Sequence, residues 1–192
     1  MQEANVGNEH HRVCPWWLGY VLASPIRRLW QNPARILEPY IRAGMIVVEP
    51  GPGMGFFTLE LARRVGPAGR VMAVDIQPKM LARLKRRLAA AGLLERVEIR
   101  LAEPQSPGLA GFAGAADFVL AFAVVHEMPS AESFFAAAAE WLKPGGRLLL
   151  AEPAGHVSVA QFDREIALAE KAGLKLMERP SISHSRAALF RL

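Results

Sequence analysis

One stretch decides the fold of this chain: Met45-Ile-Val-Val-Glu49-Pro-Gly51-Pro-Gly53-Met-Gly55-Phe-Phe-Thr58. An apolar β-type run ends in an acidic residue, passes through three glycines at alternate positions and leads into a helical pattern. Glycine accepts positive φ and lets a ligand approach bare backbone, while a helix N-terminus presents free N–H groups. The stretch therefore predicts a strand–turn–helix unit that binds a nucleotide-like ligand.

Strand and helix patterns alternate beyond this unit. The predicted strands are Ile46–Glu49, Arg70–Asp75, Val97–Leu101, Asp117–Phe122 and Arg147–Glu152, and the predicted helices are Phe56–Val65, Pro78–Ala91, Ser130–Leu142 and Ala160–Ala172. Residues 143–146, Lys-Pro-Gly-Gly, are predicted to form a tight turn. Helices between strands indicate βαβ units, a parallel sheet and helices on both of its faces.

The chain ends in two further β-type runs, Leu174–Glu178 and Arg186–Leu192. The loop between them is too short for a crossover helix, so we expect an antiparallel hairpin. The predicted fold class is α/β: a doubly wound, Rossmann-like seven-stranded sheet, mostly parallel, with an antiparallel C-terminal hairpin strand.

Composition limits the class of protein. The 192 residues, 52% of them hydrophobic and 21% charged, fit one folded domain. The net charge of +5 is spread along the chain, which favours a solvated surface over a nucleic-acid footprint. The N-terminus lacks the features of a signal peptide, so the cytoplasm is the expected location. His10, His11 and Cys14 fall in a polar N-terminal segment, and no metal is expected.

A second acid follows the glycine turn in a position typical of nucleotide sites. Ligands of doubly wound sheets lie outside the carboxyl ends of the strands, and the second predicted strand ends at Asp75. A carboxylate about 20 residues past the turn suits two hydrogen bonds from ribose hydroxyls. Two structural alternatives stay open: the glycines form only a tight turn, and Asp75 caps the helix that begins at Pro78.

These residues carry a resemblance to a known family. The motifs Glu49-x-Gly51-x-Gly53-x-Gly55, Asp75, Asp117–His126 and Leu142-Lys-Pro-Gly-Gly-Arg resemble class I S-adenosylmethionine-dependent methyltransferases, from about Ile36 to Ala172. The small-molecule, quinone-biosynthesis type is the most similar. The resemblance implies that residues 44–192 form the methyltransferase domain and that S-adenosylmethionine is the cofactor. An acid before the turn favours its ammonium group over an anionic pyrophosphate.

The resemblance also implies a role for each of these residues. The cofactor-binding set is Glu49 near the ammonium group, Gly51, Gly53 and Gly55 beneath the methionine part, Asp75 at the ribose, Ile76 and Glu103 at the adenine, and Phe122 at the methyl-transfer cavity. Glu103 lacks a sharp motif around it, so an ordinary loop acid is an equal alternative.

His126 and Glu127 are the catalytic candidates. Methyl transfer is a direct displacement that needs alignment and, for many acceptors, one base. A histidine titrates near neutrality and can take a proton from an acceptor, and Glu127 could orient it or act itself. The alternative is that His126 only packs on the cofactor. Residues 122–129 contain no Asn-Pro-Pro-Tyr or Asp-Pro-Pro-Tyr motif, which argues against the usual DNA or RNA amino-methylating subclass. A small-molecule acceptor is the favoured interpretation, and an RNA or protein acceptor is less favoured.

Residues 1–43 form a separate N-terminal segment, rich in proline and aromatic residues. We expect short helices there, with Asn32 as an N-cap before Pro33 at the first helical position. A lid over the acceptor pocket and extra core on the sheet are equal alternatives, and a membrane-surface segment is less favoured. For the whole chain, two other functions remain: an NAD-dependent oxidoreductase and a non-catalytic S-adenosylmethionine-binding protein.

Overall fold

The computed structural model describes residues 30–102 and 112–192. The elements in chain order are α1 (Pro33–Leu37), β1 (Ile46–Pro50), α2 (Thr58–Val65), β2 (Arg70–Asp75), α3 (Pro78–Ala90), β3 (Val97–Leu101), β4 (Ala116–Phe122), α4 (Ala131–Trp141), β5 (Leu142–Pro153), α5 (Val159–Lys171), β6 (Lys175–Glu178) and β7 (Ser185–Arg191). Single 3-10 turns lie at Leu94–Arg96 and Val125–Glu127.

All seven strands form one sheet in the order β3-β2-β1-β4-β5-β7-β6. Strands β1 to β5 run parallel, whereas β7 pairs antiparallel with both β5 and β6. The predicted α/β fold, its seven strands and its antiparallel C-terminal hairpin are confirmed. The strand order reverses between β1 and β4, which is the topological switch point where such sheets bind ligands.

Two apolar cores lie on opposite faces of the sheet. Val47 and Phe118 contribute to the core beneath α1, α2 and α3, while their neighbours Val48 and Val119 contribute to the core beneath α4 and α5. The side chains of a strand alternate between its two faces, and burial on both faces explains the continuous apolar runs of β1 and β4. Among the described residues, no helix is long and apolar enough to cross a membrane.

The turn predicted at residues 143–146 is wrong. These residues belong to β5, whose pairing with β4 shifts register between Ala116 and Phe118. Gly145 N–H donates to the Leu192 carbonyl at 3.2 Å, and Leu192 N–H donates to the Gly146 carbonyl at 3.0 Å. The two glycines therefore bend within the ladder because the C-terminal strand satisfies their backbone groups, a partner that local sequence cannot reveal.

The described end of the N-terminal segment packs against the sheet. Asn32 caps α1 as predicted, accepting the Ala34 N–H at 3.0 Å. Leu37 is fully buried, and the Tyr40 ring stacks on Phe118 with 5.9 Å between centroids. Residues 33–41 thus contribute core. The predicted boundary at residue 43 stays a prediction, and residues 1–29, on which the lid and membrane alternatives rest, lie outside the described residues.

Candidate cofactor and active site

The glycine turn follows β1 directly, and each of its three glycines has positive φ: 65° at Gly51, 55° at Gly53 and 83° at Gly55. A Cβ on Gly51 would lie 2.4 Å from Val124 Cγ2, and one on Gly55 would lie 2.4 Å from Leu84 Cδ1. A Cβ on Gly53 would meet nothing within 4 Å. Close packing therefore requires two of the glycines, whereas the third faces open space where a ligand can approach its backbone.

Glu49 lies at the carboxyl end of β1 with only 4% of its surface exposed. Its Oε2 atom is buried and has no hydrogen-bond partner. Burial raises the pKa of Glu49 to about 8; the neighbouring Thr58 hydroxyl offsets part of this rise and the charge of Asp75 adds to it. A buried acceptor without a partner is costly in a folded protein, and the contact of Glu49 with the cofactor stays a prediction.

Asp75 ends β2 and is 8% exposed. Its Oδ2 accepts the Gly53 N–H at 3.2 Å, and its Oδ1 accepts the Gln77 N–H at 2.9 Å. Burial raises its pKa, while the backbone donors of Gln77, Gly53 and Ile76 pull it back. The N-cap of α3 is Gln77 rather than Asp75, so the capping alternative is wrong. Asp75 instead ties the glycine turn to the end of β2.

The apolar candidates border these acids. Ile76 follows Asp75 and is 38% exposed, an unusual degree for a large apolar side chain next to a buried strand. The half-buried Phe122 ends β4, and its ring packs on Phe57 with 4.3 Å between centroids. Phe57 directly follows the glycine turn, so this contact joins the turn to the end of β4. Glu103 lies outside the described residues.

His126 lies on the 3-10 turn just after β4. Its Nδ1 contacts Glu152 Oε2, and its Nε2 lies 3.8 Å from Glu127 Oε1. Partial burial lowers the pKa of His126, but the hydrogen bond and charge of Glu152, with smaller contributions from Glu127 and Glu165, outweigh burial and leave the pKa raised. Val124, two residues earlier, packs over Gly51. The loop after β4, which contains Val124 and His126, therefore contacts the glycine turn at the topological switch point.

Two acidic residues near His126 were missed at the sequence level. Glu152 is fully buried near the end of β5, and Glu165 on α5 is 8% exposed with its Oε2 unpartnered. Burial raises the pKa of Glu165 to about 7; the charge of Glu152 adds to this rise, and His126 counteracts it. Glu152 had a signal, because it ends a predicted strand just as Glu49 and Asp75 do. Glu165 had a weaker one: its spacing from Phe162 and Ala169 places it on an apolar helix face.

Asp117 begins β4 at the opposite end of the sheet from this site. Its Oδ2 accepts the Ile46 N–H at 2.8 Å, and it forms an ion pair with Lys143. Asp117 therefore has a structural role, since it ties the start of β4 to the backbone at the start of β1. Within the two described ranges, no group of three His, Cys, Asp or Glu side chains is arranged to hold a metal ion, the His126 cluster included.

The residues around the turn fit S-adenosylmethionine. The unpaired Oε2 of Glu49 is an acceptor that the N–H groups of an ammonium ion would satisfy, and the space beside Gly53 leaves backbone open to a ligand. Each carboxylate oxygen of Asp75 accepts one hydrogen bond from backbone, and each can accept a further hydrogen bond from a ligand. The same set disfavours a pyrophosphate, because two acidic side chains supply no positive charge to offset its negative charge.

Comparison with known proteins agrees with this fit. Residues 47–146 match the family model described as "Methyltransferase domain". Protein-L-isoaspartate O-methyltransferase 1 of Arabidopsis thaliana is 28% identical over 144 residues, which cover 74% of this chain and 60% of that protein. The ubiquinone/menaquinone biosynthesis C-methyltransferase UbiE of Klebsiella pneumoniae is 31% identical over 69% of this chain and 51% of that protein. The chain thus spans just over half the length of these curated relatives.

A solved structure reproduces the fold over nearly its whole length. A SAM-dependent methyltransferase from Aquifex aeolicus superposes with a TM-score of 0.81, covering 93% of this chain and 99% of that one at 20% identity. The family model spans more than half of the chain and includes Glu49, the glycine turn, Asp75 and His126. The chain belongs to the class I S-adenosylmethionine-dependent methyltransferases, whose cofactor is S-adenosylmethionine.

Proposed function

We propose that this protein transfers the methyl group of S-adenosylmethionine to a small-molecule acceptor, with His126 as the general base. The observation that carries the proposal is the contact between the two loops at the switch point. Val124 packs over Gly51, and His126 is only two residues further along the same loop, so His126 lies near the glycine turn. The acceptor must lose its proton close to the bound cofactor, and a base beside the glycine turn would lie at that position.

Each predicted cofactor-binding residue would contact a different part of S-adenosylmethionine. Glu49 would hold the ammonium group, the glycine turn would lie beneath the methionine part, and Asp75 would accept the ribose hydroxyls. Ile76 would cover the adenine, with Glu103 near its amino group, and Phe122 would line the transfer cavity. When bound, the cofactor supplies a methyl group on a sulfonium, which an acceptor nucleophile displaces directly.

The chain's own contribution to chemistry is proton removal. His126 Nε2 would take the proton that an acceptor hydroxyl, amine or activated carbon loses as it is methylated. The raised pKa of His126 strengthens it as a base and moves the pH at which its neutral form appears above the ordinary histidine value. Glu127, whose Oε1 lies 3.8 Å from Nε2, would orient His126 or act as a base itself.

Two observations support a small molecule as acceptor. The loop after β4 reads Ala-Val-Val-His-Glu-Met-Pro and lacks the Pro-Pro-Tyr motif expected for methylation of base amino groups. One curated relative acts in quinone biosynthesis, although another is named for isoaspartate in protein. A protein acceptor is therefore the alternative that the acceptor screen must include.

Calorimetry and a methylation screen test the proposal. The protein should bind S-adenosylmethionine and S-adenosylhomocysteine and leave NAD unbound; tight binding of NAD alone would contradict it. With an acceptor found among phenols, quinols, amines and isoaspartyl peptides, His126→Ala should keep cofactor affinity and slow transfer about 100-fold or more. His156→Ala is the matched control, since its ring lies only 6.2 Å from that of His126 and is exposed. Cofactor binding without turnover on any acceptor would favour a non-catalytic binding protein.

A further inference from the structure

Glu152 is fully buried and has every carboxylate oxygen engaged. Its Oε1 accepts the Val125 N–H at 2.8 Å and the Val124 N–H at 3.3 Å. Its Oε2 contacts Nδ1 of His126. One buried side chain of β5 thus binds both the backbone and the candidate base of the loop after β4.

The backbone around this loop is fixed by the same strand. Phe122 lies opposite Ala151 in the β4–β5 register, and the Ala123 N–H donates to the Ala151 carbonyl at 2.7 Å. Ala123 then adopts φ of 55°, a backbone conformation that is strained for a residue with a Cβ. Such a conformation persists only where the surroundings hold it, and here the surroundings are the end of β5.

We infer that Glu152 is a positioning residue: its carboxylate keeps the proton of neutral His126 on Nδ1 and so leaves Nε2 as the nitrogen that accepts a proton. The inference rests on the proposed role of His126 as base. Oε1 of Glu152 accepts two backbone N–H groups and its Oε2 is left as the acceptor that faces Nδ1, so we expect Nδ1 to carry a hydrogen. The ring is then held with its lone pair directed away from Glu152.

Two further carboxyl groups, those of Glu127 and Glu165, act on the charge of the ring and make no described hydrogen bond to it. Glu127 lies on the same 3-10 turn, 3.8 Å from Nε2. Glu165 reaches the cluster from α5, and His156 lies in the loop after β5 with 6.2 Å between ring centroids. Of the contacts described for Nδ1, only that of Glu152 is a hydrogen bond.

Glu152→Gln tests the inference because the structure dictates how the amide must lie. Two backbone N–H groups point at Oε1, so the amide oxygen is held there and the NH2 group faces His126 Nδ1. An amide nitrogen donates, so Nδ1 must then accept, and the proton of neutral His126 moves to Nε2. The substitution keeps the size of the side chain and moves the proton of neutral His126 from one ring nitrogen to the other.

Nitrogen-15 NMR of the full chain with S-adenosylhomocysteine reads the tautomer without turnover. Wild-type His126 should carry its proton on Nδ1 when neutral, and Glu152→Gln should carry it on Nε2 with a lower His126 pKa. Glu165→Gln is the charge control: it should lower the His126 pKa and leave the tautomer unchanged. On an identified acceptor, Glu152→Gln should lower kcat about 100-fold or more, with cofactor affinity retained.

The outcomes distinguish the positioning role of Glu152 from the proposed role of His126 as the base. A wild-type His126 protonated on Nε2, or a tautomer unchanged by Glu152→Gln, would overturn the positioning role whatever reaction the protein catalyses. If Glu152→Gln fails to fold, the wild-type spectrum alone still decides. A reversed tautomer with unchanged kcat would support the positioning role and remove His126 as the base.

Discussion

Glu49 and Glu152 are both buried glutamates at the carboxyl ends of parallel strands, and they differ in what they bind. Glu152 accepts two backbone N–H groups and contacts His126, whereas Oε2 of Glu49 is buried without a partner. Burial of an acceptor is tolerable when its hydrogen bonds are made within the protein and costly when they are not. The partnered carboxylate of Glu152 thus holds the loop after β4 in place, whereas the unpartnered carboxyl group of Glu49 stays a predicted contact for the ligand.

The largest expected effect is on folding. Glu152→Ala should lower the free energy of unfolding by about 2–6 kcal/mol, because each of the two N–H groups it leaves without an acceptor costs roughly 1–3 kcal/mol. Urea unfolding followed by circular dichroism measures this loss. Glu49→Gln is the matched control and should lose no stability at pH 7, because the amide replaces a carboxyl group whose raised pKa already lowers the free energy of unfolding there. Equal losses in both variants would remove the distinction between the two glutamates.

The next effect is on binding. Glu49→Gln should weaken S-adenosylmethionine by about 1.5–3 kcal/mol, which is roughly 10- to 150-fold, because a hydrogen bond to a charged group is lost. Titration calorimetry gives the two dissociation constants. An unchanged affinity would show that Glu49 does not face the ammonium group, and the unpartnered oxygen would then need another explanation.

The pH dependence of the same variant sharpens this result. Glu49 has a pKa of about 8 in the folded protein against 4.5 ordinarily, so it holds a proton at pH 7 that the unfolded chain has released. Its contribution to stability is therefore full at low pH and falls, at about 1.4 kcal/mol per pH unit, as the pH rises toward 8. A cationic cofactor lowers the pKa, so binding at pH 7 should release a proton. Calorimetry in buffers of different ionisation enthalpy should detect this release in the wild type and lose it in Glu49→Gln.

The smallest effect concerns the contact that joins the two regions. Gly51→Ala and Gly53→Ala both place a Cβ at positive φ, but only the Cβ at position 51 would overlap Val124. The first variant should therefore be less stable than the second by about 1–3 kcal/mol, the usual cost of overpacking. Thermal unfolding compares them. Adding Val124→Ala should recover most of the difference; without recovery, the Gly51–Val124 contact does not join the loops.

The cofactor half of the site could be predicted from sequence and the acceptor half only in part. Glu49, the three glycines and Asp75 are close in the chain to the strands and turn that place them, so their spacing shows their arrangement. His126 was found because it follows a predicted strand. Its partner Glu152 is 26 residues away, and the parallel pairing of β4 and β5 brings them together.

By itself, the sequence determined the α/β alternation and the glycine turn after β1, and it predicted that this turn prefers a cationic ligand. These follow from local periodicity, from the conformational freedom of glycine and from the charge of one acid. Only the tertiary structure decided which buried carboxylates have partners, that residues 143–146 continue a strand, and that Glu152 faces His126. These depend on hydrogen bonds between strands distant in the chain, because a carboxylate next to a donor and one next to empty space look alike in sequence.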